Sequence, residues 1–265
     1  MPEGPARRDG RAAAVRLHRV RSGTSGGGPA LLVAHGLLGS GRNLGVLVRR
    51  LADGRAVVAV DMRNHGESPW NPSHTYPEMA ADFAEVIEAE GAPMDVLGHS
   101  MGGKAAMALA LTRPELVRRL VVLDIAPVAY GHTRMPQIEA MRRVDLAHVS
   151  SRREAEAQMG ADTAVAPFLL QSLDLEGRRW RLNLDALERH MGDITGWPEV
   201  AGRFEGPALF LSGEESSYVL PEHRDATLAL FPHARFARLK GAGHWIHADR
   251  PREVEGAVRA FLDRD

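Results

Sequence analysis

The strongest constraint on the fold is an alternation of two patterns along the chain. Short, mostly apolar runs are each followed by a longer segment with the spacing of a helix. The short runs are Leu31–Ala34, Val57–Val60, Met94–Leu97, Leu120–Leu123 and Ala208–Leu211. Runs of this kind are typical of parallel strands that are covered on both faces. We therefore predict an α/β protein with a mostly parallel, doubly wound sheet.

The two ends of the chain support the same architecture. Ala13–Arg21 alternates in polarity and precedes the glycine-rich stretch Ser22–Pro29, which favours an edge strand or hairpin that leads into the sheet. Phe236–Leu239 is a plausible last strand. Arg252–Leu262 has helical spacing, and Pro251 suits the first position of that helix.

One long region interrupts the alternation. Between Pro127 and about Gly206 there is no convincing buried strand, only helix-like pieces at Met135–Val144, Arg152–Met159 and Leu184–His190. An insertion after the carboxyl end of a strand lies over the edge where α/β sheets bind ligands. We expect a core of residues 1–126 and 207–265, with a helical cap of residues 127–206 inserted after the strand that ends at Asp124.

Composition excludes several classes of function. The 33 basic and 34 acidic residues nearly cancel, so no strong field recruits nucleic acid. Without cysteine the chain has no disulfide, thiolate zinc site or cysteine nucleophile. No apolar run is long enough to span a membrane. The arginine-rich start lacks the apolar core of a signal peptide, so we expect a cytoplasmic protein, with a transit peptide as the alternative.

The candidate nucleophile is Ser100, in the sequence Gly98-His99-Ser100-Met101-Gly102. This G-x-S-x-G motif follows a predicted strand and precedes a predicted helix, which is the context that a nucleophile elbow requires. Small residues two positions away relieve crowding in the sharp turn and leave the serine oxygen exposed. As a bare pattern the motif could also be a flexible turn.

A serine nucleophile needs a general base, and in elbow-type sheets the chain order is serine, acid, histidine. His244 follows the last predicted strand in the glycine-rich loop Gly241–Gly243, which would let the imidazole reach Ser100. His247 is the nearest rival. Most of the other histidines are more simply interpreted as solvated or loop residues.

The acid is less obvious. After the strand Ala208–Leu211, where the acid of such proteins often lies, the chain has Ser216, while Glu214 and Glu215 are alternatives. Asp124 ends the preceding core strand, which should lie beside the strand of the nucleophile. We predict Asp124 as the acid, although it could also be a turn or helix-capping residue.

Two backbone N–H groups must bind the developing oxyanion. The residue after the nucleophile, Met101, is expected to supply one of them. The loop after the strand Leu31–Ala34 should supply the other, with Leu37 as the donor, His35 shaping the loop and Gly36 allowing a close backbone approach.

Several segments together carry a resemblance to a known family. They are His35–Ser40, Asp61–Gly66, Gly98–Lys104, Asp124–Pro127, Ser217–Val219 and Gly241–His247. They resemble the YbfF-type esterases, a branch of the α/β-hydrolase superfamily. The resemblance implies the α/β-hydrolase fold, esterase or acyl-thioesterase activity on short acyl groups, and a triad of Ser100, Asp124 and His244. It also implies a supporting role for Ser216; the family more typically has a proline at Ser217.

The hypothesis is therefore a serine hydrolase that cleaves esters or thioesters of small acyl groups without metal or organic cofactor. Within the predicted cap, Phe168, Leu169 and Trp180 are candidates for lining the acyl pocket, or they simply hold the cap to the core. Carbon–carbon bond hydrolysis, perhydrolysis and a non-catalytic ligand receptor are the alternatives. We expect a monomer or small homo-oligomer.

Overall fold

A computed structural model describes residues 14–24, 28–91, 93–160 and 165–263. Its main sheet has seven strands in the order β1-β3-β2-β4-β5-β8-β9. In chain order the strands are β1 (Arg19–Ser22), β2 (Leu31–Ala34), β3 (Val57–Val60), β4 (Met94–His99), β5 (Val117–Leu123), β6 (Leu173–Asp174), β7 (Arg179–Trp180), β8 (Ala208–Gly213) and β9 (Ala234–Leu239). All neighbours in the main sheet are parallel except β1, which runs antiparallel to β3. The predicted mostly parallel sheet is confirmed.

Eleven α-helices occur in the described part of the chain. They are α1 (Gly45–Leu51), α2 (Tyr76–Glu90), α3 (Met101–Thr112), α4 (Met135–Arg142), α5 (Arg152–Met159), α6 (Ala166–Leu169), α7 (Leu184–Arg189), α8 (Met191–Thr195), α9 (His223–Leu230), α10 (Ile246–Asp249) and α11 (Pro251–Leu262). Helices α1 and α11 pack together, as do α2 and α3. Side chains of the central strands divide between two apolar clusters that contain these two helix pairs, so the sheet is covered on both faces.

The register of the central strands fixes where the candidate residues lie. β4 and β5 are parallel neighbours in which His99 pairs with Leu123. The next residues, Ser100 and Asp124, therefore leave the sheet side by side at its carboxyl edge. Leu123 in turn pairs with Leu211 of β8, so the loop after β8 meets the same edge.

Residues 127–206, here called the insertion, connect β5 to β8. They contain α4 to α8 and the short ribbon β6–β7, which the sequence did not predict. The insertion contacts loops at the carboxyl edge of the sheet. Ser172 bonds the loop after β2, Asn183 bonds Asn64 in the loop after β3, and the carbonyls of Thr195 and Gly196 bond α3.

The edge strand at the start is shorter than expected and covers only Arg19–Ser22. Ala13 and residues 25–27 of the predicted strand and hairpin lie outside the described residues, as does most of the arginine-rich start. Among the helices of the described ranges, none combines the length and apolarity needed to cross a membrane.

Candidate active site

Ser100 occupies a strained elbow between β4 and α3. Its backbone has φ 52° and ψ −120°, in the positive-φ range that residues with a side chain rarely adopt. Glycines make the turn possible. A Cβ at Gly98 would lie 2.2 Å from the carbonyl oxygen of Gly102, and a Cβ at Gly102 would lie 2.5 Å from that of His35. The motif thus has the strand–elbow–helix context that its sequence predicts.

Ser100, His244 and Asp124 form a continuous hydrogen-bonded chain. His244 Nδ1 lies 2.8 Å from Asp124 Oδ2, and His244 Nε2 lies 3.1 Å from Ser100 Oγ. Because a carboxylate oxygen only accepts, Nδ1 carries the proton and Nε2 is left to accept from the serine hydroxyl. The arrangement can move a proton from serine to histidine while the carboxylate stabilises the imidazolium.

Asp124 is completely buried, and its carboxylate has further donors. The N–H of Gly213 donates to Oδ1 at 2.9 Å, and the hydroxyl of Ser216 donates to Oδ2. With His244 this makes three hydrogen bonds, which offset the cost of burying a charge. Glu214 and Glu215 are exposed, so neither has the buried position of Asp124.

Two side chains that the sequence did not single out hold His244 in place. The ring of Tyr218 stacks on the imidazole with centroids 3.8 Å apart and planes 17° from parallel. His99 donates from Nε2 to the carbonyl of His244 at 2.9 Å. Tyr218 follows Ser216 by two residues and lies in the segment Ser217–Val219 that carries the family resemblance, which was the available sequence signal. Arg134 of the insertion donates to the Tyr218 hydroxyl.

The predicted oxyanion donors flank the nucleophile. Within the described ranges neither the N–H of Leu37 nor that of Met101 has a hydrogen-bond partner. Met101 begins α3, where a free N–H is expected. Gly36 lies so close that an added Cβ would stand 3.2 Å from Cβ of Ser100 and 3.0 Å from Nδ1 of His99.

An open cleft leads to Ser100 and His244. Its apolar lining is Leu37, Leu38, Leu44, Val165, Phe168, Leu169 and Trp245. The insertion thus supplies Phe168 and Leu169, as expected, and the Phe168 ring lies 5.8 Å from that of Trp245. Trp180 does not line the cleft. It is buried within the insertion, where its indole N–H donates to the carbonyl of Met141 at 3.0 Å, so its predicted place in the pocket is wrong.

The other histidines around the cleft are uncharged near neutral pH. Burial lowers the pKa of His35, that of His99 well below its usual range, and that of His247 to about 4. Their rings therefore act as neutral donors and acceptors. Among the residues that the structure describes, no group of three or more His, Asp or Glu side chains could hold a metal ion.

Comparison with known proteins identifies the family to which this fold belongs. A family profile described as the alpha/beta hydrolase fold matches residues 29–251, most of the chain. This chain belongs to the α/β-hydrolase family. This α/β-hydrolase is 40% identical over 248 residues to the mouse (Mus musculus) protein named sn-1-specific diacylglycerol lipase ABHD11, covering 88% of this chain and 81% of the relative.

Two further similarities are to proteins named esterases. The hydrolase is 40% identical over 238 residues to esterase YbfF of Escherichia coli K12, with 88% of this chain and 92% of the relative covered. A solved structure named marine microorganism esterase superposes with a TM-score of 0.89 at 33% identity, covering 94% of this chain and all of that one. The resemblance to YbfF-type esterases is confirmed.

Proposed function

We propose that this α/β-hydrolase cleaves carboxylic esters or acyl thioesters of small acyl groups through an acyl-enzyme on Ser100. The observation that carries the proposal is the hydrogen-bonded chain from the Ser100 hydroxyl through His244 to the buried carboxylate of Asp124. It ends at an open cleft, where a substrate carbonyl has access to the serine.

In the acylation step, Ser100 Oγ attacks the substrate carbonyl while its proton passes to His244 Nε2. The tetrahedral oxyanion then accepts from the free N–H groups of Leu37 and Met101. When the carbon–oxygen or carbon–sulfur bond breaks, His244 returns the proton to the departing alcohol or thiol. Asp124 stabilises the imidazolium between the two transfers without taking a proton itself.

Deacylation repeats the sequence with water. His244 removes a proton from water, the resulting hydroxide attacks the acyl carbon, and the proton returns to Ser100 Oγ as the carboxylic acid leaves. Every proton is accounted for by the serine, the histidine and water. The reaction needs no redox partner.

The insertion, residues 127–206, bears on which acyl groups the enzyme accepts. We propose that it acts as a cap whose Phe168 and Leu169 contact the acyl group, because both line an otherwise apolar cleft. The mouse relative is named a diacylglycerol lipase and the bacterial one an esterase, which supports a carboxylic ester. An acyl thioester presents the same carbonyl to Ser100, so both leaving groups belong in the test.

Carbon–carbon bond hydrolysis, perhydrolysis and ligand binding without turnover use the same site and are outcomes to be distinguished. A receptor would bind esters without releasing acid. A carbon–carbon hydrolase would leave simple esters nearly untouched, and a perhydrolase would require hydrogen peroxide for its main product.

The deciding experiment is a rate profile across p-nitrophenyl esters and acyl-CoA thioesters of increasing acyl length, with Ser100→Ala as control. We expect hydrolysis of the short esters and a loss of about 10⁴-fold or more in kcat for the variant. Absence of hydrolysis in the folded parent protein, or equal rates in parent and Ser100→Ala, would overturn the proposal.

A further inference from the structure

The loop that carries the proposed oxyanion donor is held from two sides at the residue after the donor. Leu38 has φ 62°, in the left-handed region that is unfavourable for a residue with a side chain. Its N–H donates to Nε2 of His65 at 3.2 Å, and its carbonyl accepts from the hydroxyl of Ser172 at 3.2 Å. One contact comes from the core and the other from the insertion.

His65 is built to accept this hydrogen bond. Its Nδ1 lies 2.8 Å from the carbonyl of Arg63, to which it must donate, and Nε2 is therefore the acceptor. Burial is the main cause, and the nearby His35 a smaller one, that lowers the pKa of His65 to about 3. The ring is therefore neutral near pH 7. His35 is arranged alike: Nδ1 donates to the Gly36 carbonyl at 2.7 Å and Nε2 accepts from the Met62 N–H at 2.9 Å.

We propose that His65 and Ser172 are positioning residues that fix Leu38 and, through it, aim the Leu37 N–H at the oxyanion. The proposal rests on the serine-hydrolase function proposed above. The Leu38 N–H lies in the Leu37–Leu38 peptide, which is joined at the Leu37 Cα to the Gly36–Leu37 peptide that carries the donor, so a displacement of Leu38 is transmitted to the donor. Oxyanion stabilisation depends steeply on the position of the donor, since displacements near 1 Å can cost about a hundredfold in rate.

Through the Ser172 contact the insertion would have a second role, beside contact with the acyl group: it would hold Leu38 in position. Ser172 is buried and lies directly before β6, outside the apolar cleft. Its hydroxyl connects the insertion to the loop that carries the proposed oxyanion donor, Leu37. A displacement of the insertion would break the Ser172–Leu38 hydrogen bond and let Leu38 move. The position of the insertion would then affect the stabilisation of the transition state rather than the binding of the substrate.

The test compares His65→Met, which keeps the length of the side chain but offers only a weak thioether acceptor, with His65→Gln, which places an oxygen near the position of Nε2. We expect His65→Met to lower kcat about 10- to 100-fold with KM within about twofold, and His65→Gln to recover most of that loss. Ser172→Ala should lower kcat about three- to tenfold. Ser150→Ala, an exposed serine of the insertion, is its control and should match the parent.

A second readout separates aiming from mere folding. Phenylboronic acid forms a tetrahedral adduct that places an oxygen at the oxyanion donors, whereas the product alcohol has no acyl oxygen to place there. His65→Met should weaken the boronate Ki in proportion to kcat and leave the Ki of the product alcohol unchanged. Equal weakening of both inhibitors, or an unchanged kcat in folded His65→Met, would overturn the inference. An inactive parent protein would instead overturn the proposed function.

Discussion

At the scale of single residues, the site is organised around a carboxylate that water does not reach. Asp124 shows no exposed surface and accepts from three donors on two segments: Gly213 and Ser216 at the end of β8, and His244 after β9. Its backbone φ of 52° is itself strained. A buried charge and an unfavourable backbone at one residue are retained where a function requires them.

Asp124→Asn should lower kcat about 10³- to 10⁴-fold, because an amide can neither fix the histidine tautomer nor stabilise its charged form. Ser216→Ala should lower kcat about 10-fold, since it removes one hydrogen bond to a charged acceptor. Glu214→Gln and Glu215→Gln are matched controls and should stay within a few-fold of the parent. Steady-state kinetics on one activated ester measure all four variants. An active Asp124→Asn beside an inactive glutamate variant would mean that the acid lies after β8.

The sequence could indicate Asp124 because consecutive strands of a sheet are usually neighbours, and the end of a strand is visible as the end of an apolar run. It could not indicate Tyr218, whose contact with His244 depends on how the loop after β8 folds back. Trp180 shows the opposite failure. An apolar aromatic in a helical region can face the cleft or the interior, and one sequence does not distinguish these positions.

At the scale of elements, Lys104 connects α3 to the insertion. It is fully buried, its ammonium donates to the carbonyls of Thr195 and Gly196, and it lies 4.6 Å from the ring centre of Tyr130. These carbonyls end α8, where partial negative charge accumulates. The cation has no carboxylate partner among the described residues.

Burial lowers the pKa of Lys104 to about 7, whereas an unfolded lysine holds its proton to about pH 10. Between pH 7 and 9 the unfolded chain therefore binds more protons, and the free energy of unfolding should rise by about 2 kcal/mol. Burial raises the pKa of Tyr76 and Tyr130, so their opposing effect begins only near pH 10.

Urea unfolding of the parent protein and of Lys104→Met at several pH values isolates this contribution. The parent curve should rise with pH relative to the variant curve. Parallel curves across the window would mean that Lys104 keeps its proton in the folded state.

The elements themselves were predictable to different degrees. β2 and β3 match the predicted runs residue for residue, because four consecutive buried residues leave a clear apolar signal. The β6–β7 ribbon has two residues per strand, too few for any periodicity. Helix α9 buries little more than Thr227 and so lacks the apolar stripe that identifies a helix.

At the scale of the whole molecule, the insertion lies against the loops at the carboxyl edge of the sheet and forms one wall of the cleft. Its start follows from topology, because the segment leaves β5 at the carboxyl edge of the sheet, beside Ser100, and then crosses to the opposite edge, where the parallel strand β8 begins. Its inner surface does not follow from the sequence. Which apolar residues reach the cleft depends on the packing of α4 to α8 and could be read only from the structure.

Phe168→Ala should enlarge the acyl end of the cleft and move the optimum toward longer acyl chains. The ratio of kcat/KM for octanoyl to butyryl p-nitrophenyl esters should rise about 10-fold, with the acetyl ester nearly unaffected, since one methylene newly accommodated in an apolar pocket is worth about 1–3 kcal/mol. Trp70→Ala, an exposed aromatic outside the cleft lining, is the matched control. An unchanged length preference in folded Phe168→Ala would count against a pocket role.

The central claim is that Ser100 is the nucleophile. Treatment of the folded protein with a fluorophosphonate, followed by digestion and mass spectrometry, tests it directly. The account predicts one rapid adduct on the peptide that contains Ser100, abolished in Ser100→Ala and strongly slowed in an alanine variant of His244. Modification of a different residue, or persistent labelling in Ser100→Ala at the parental rate, would contradict it.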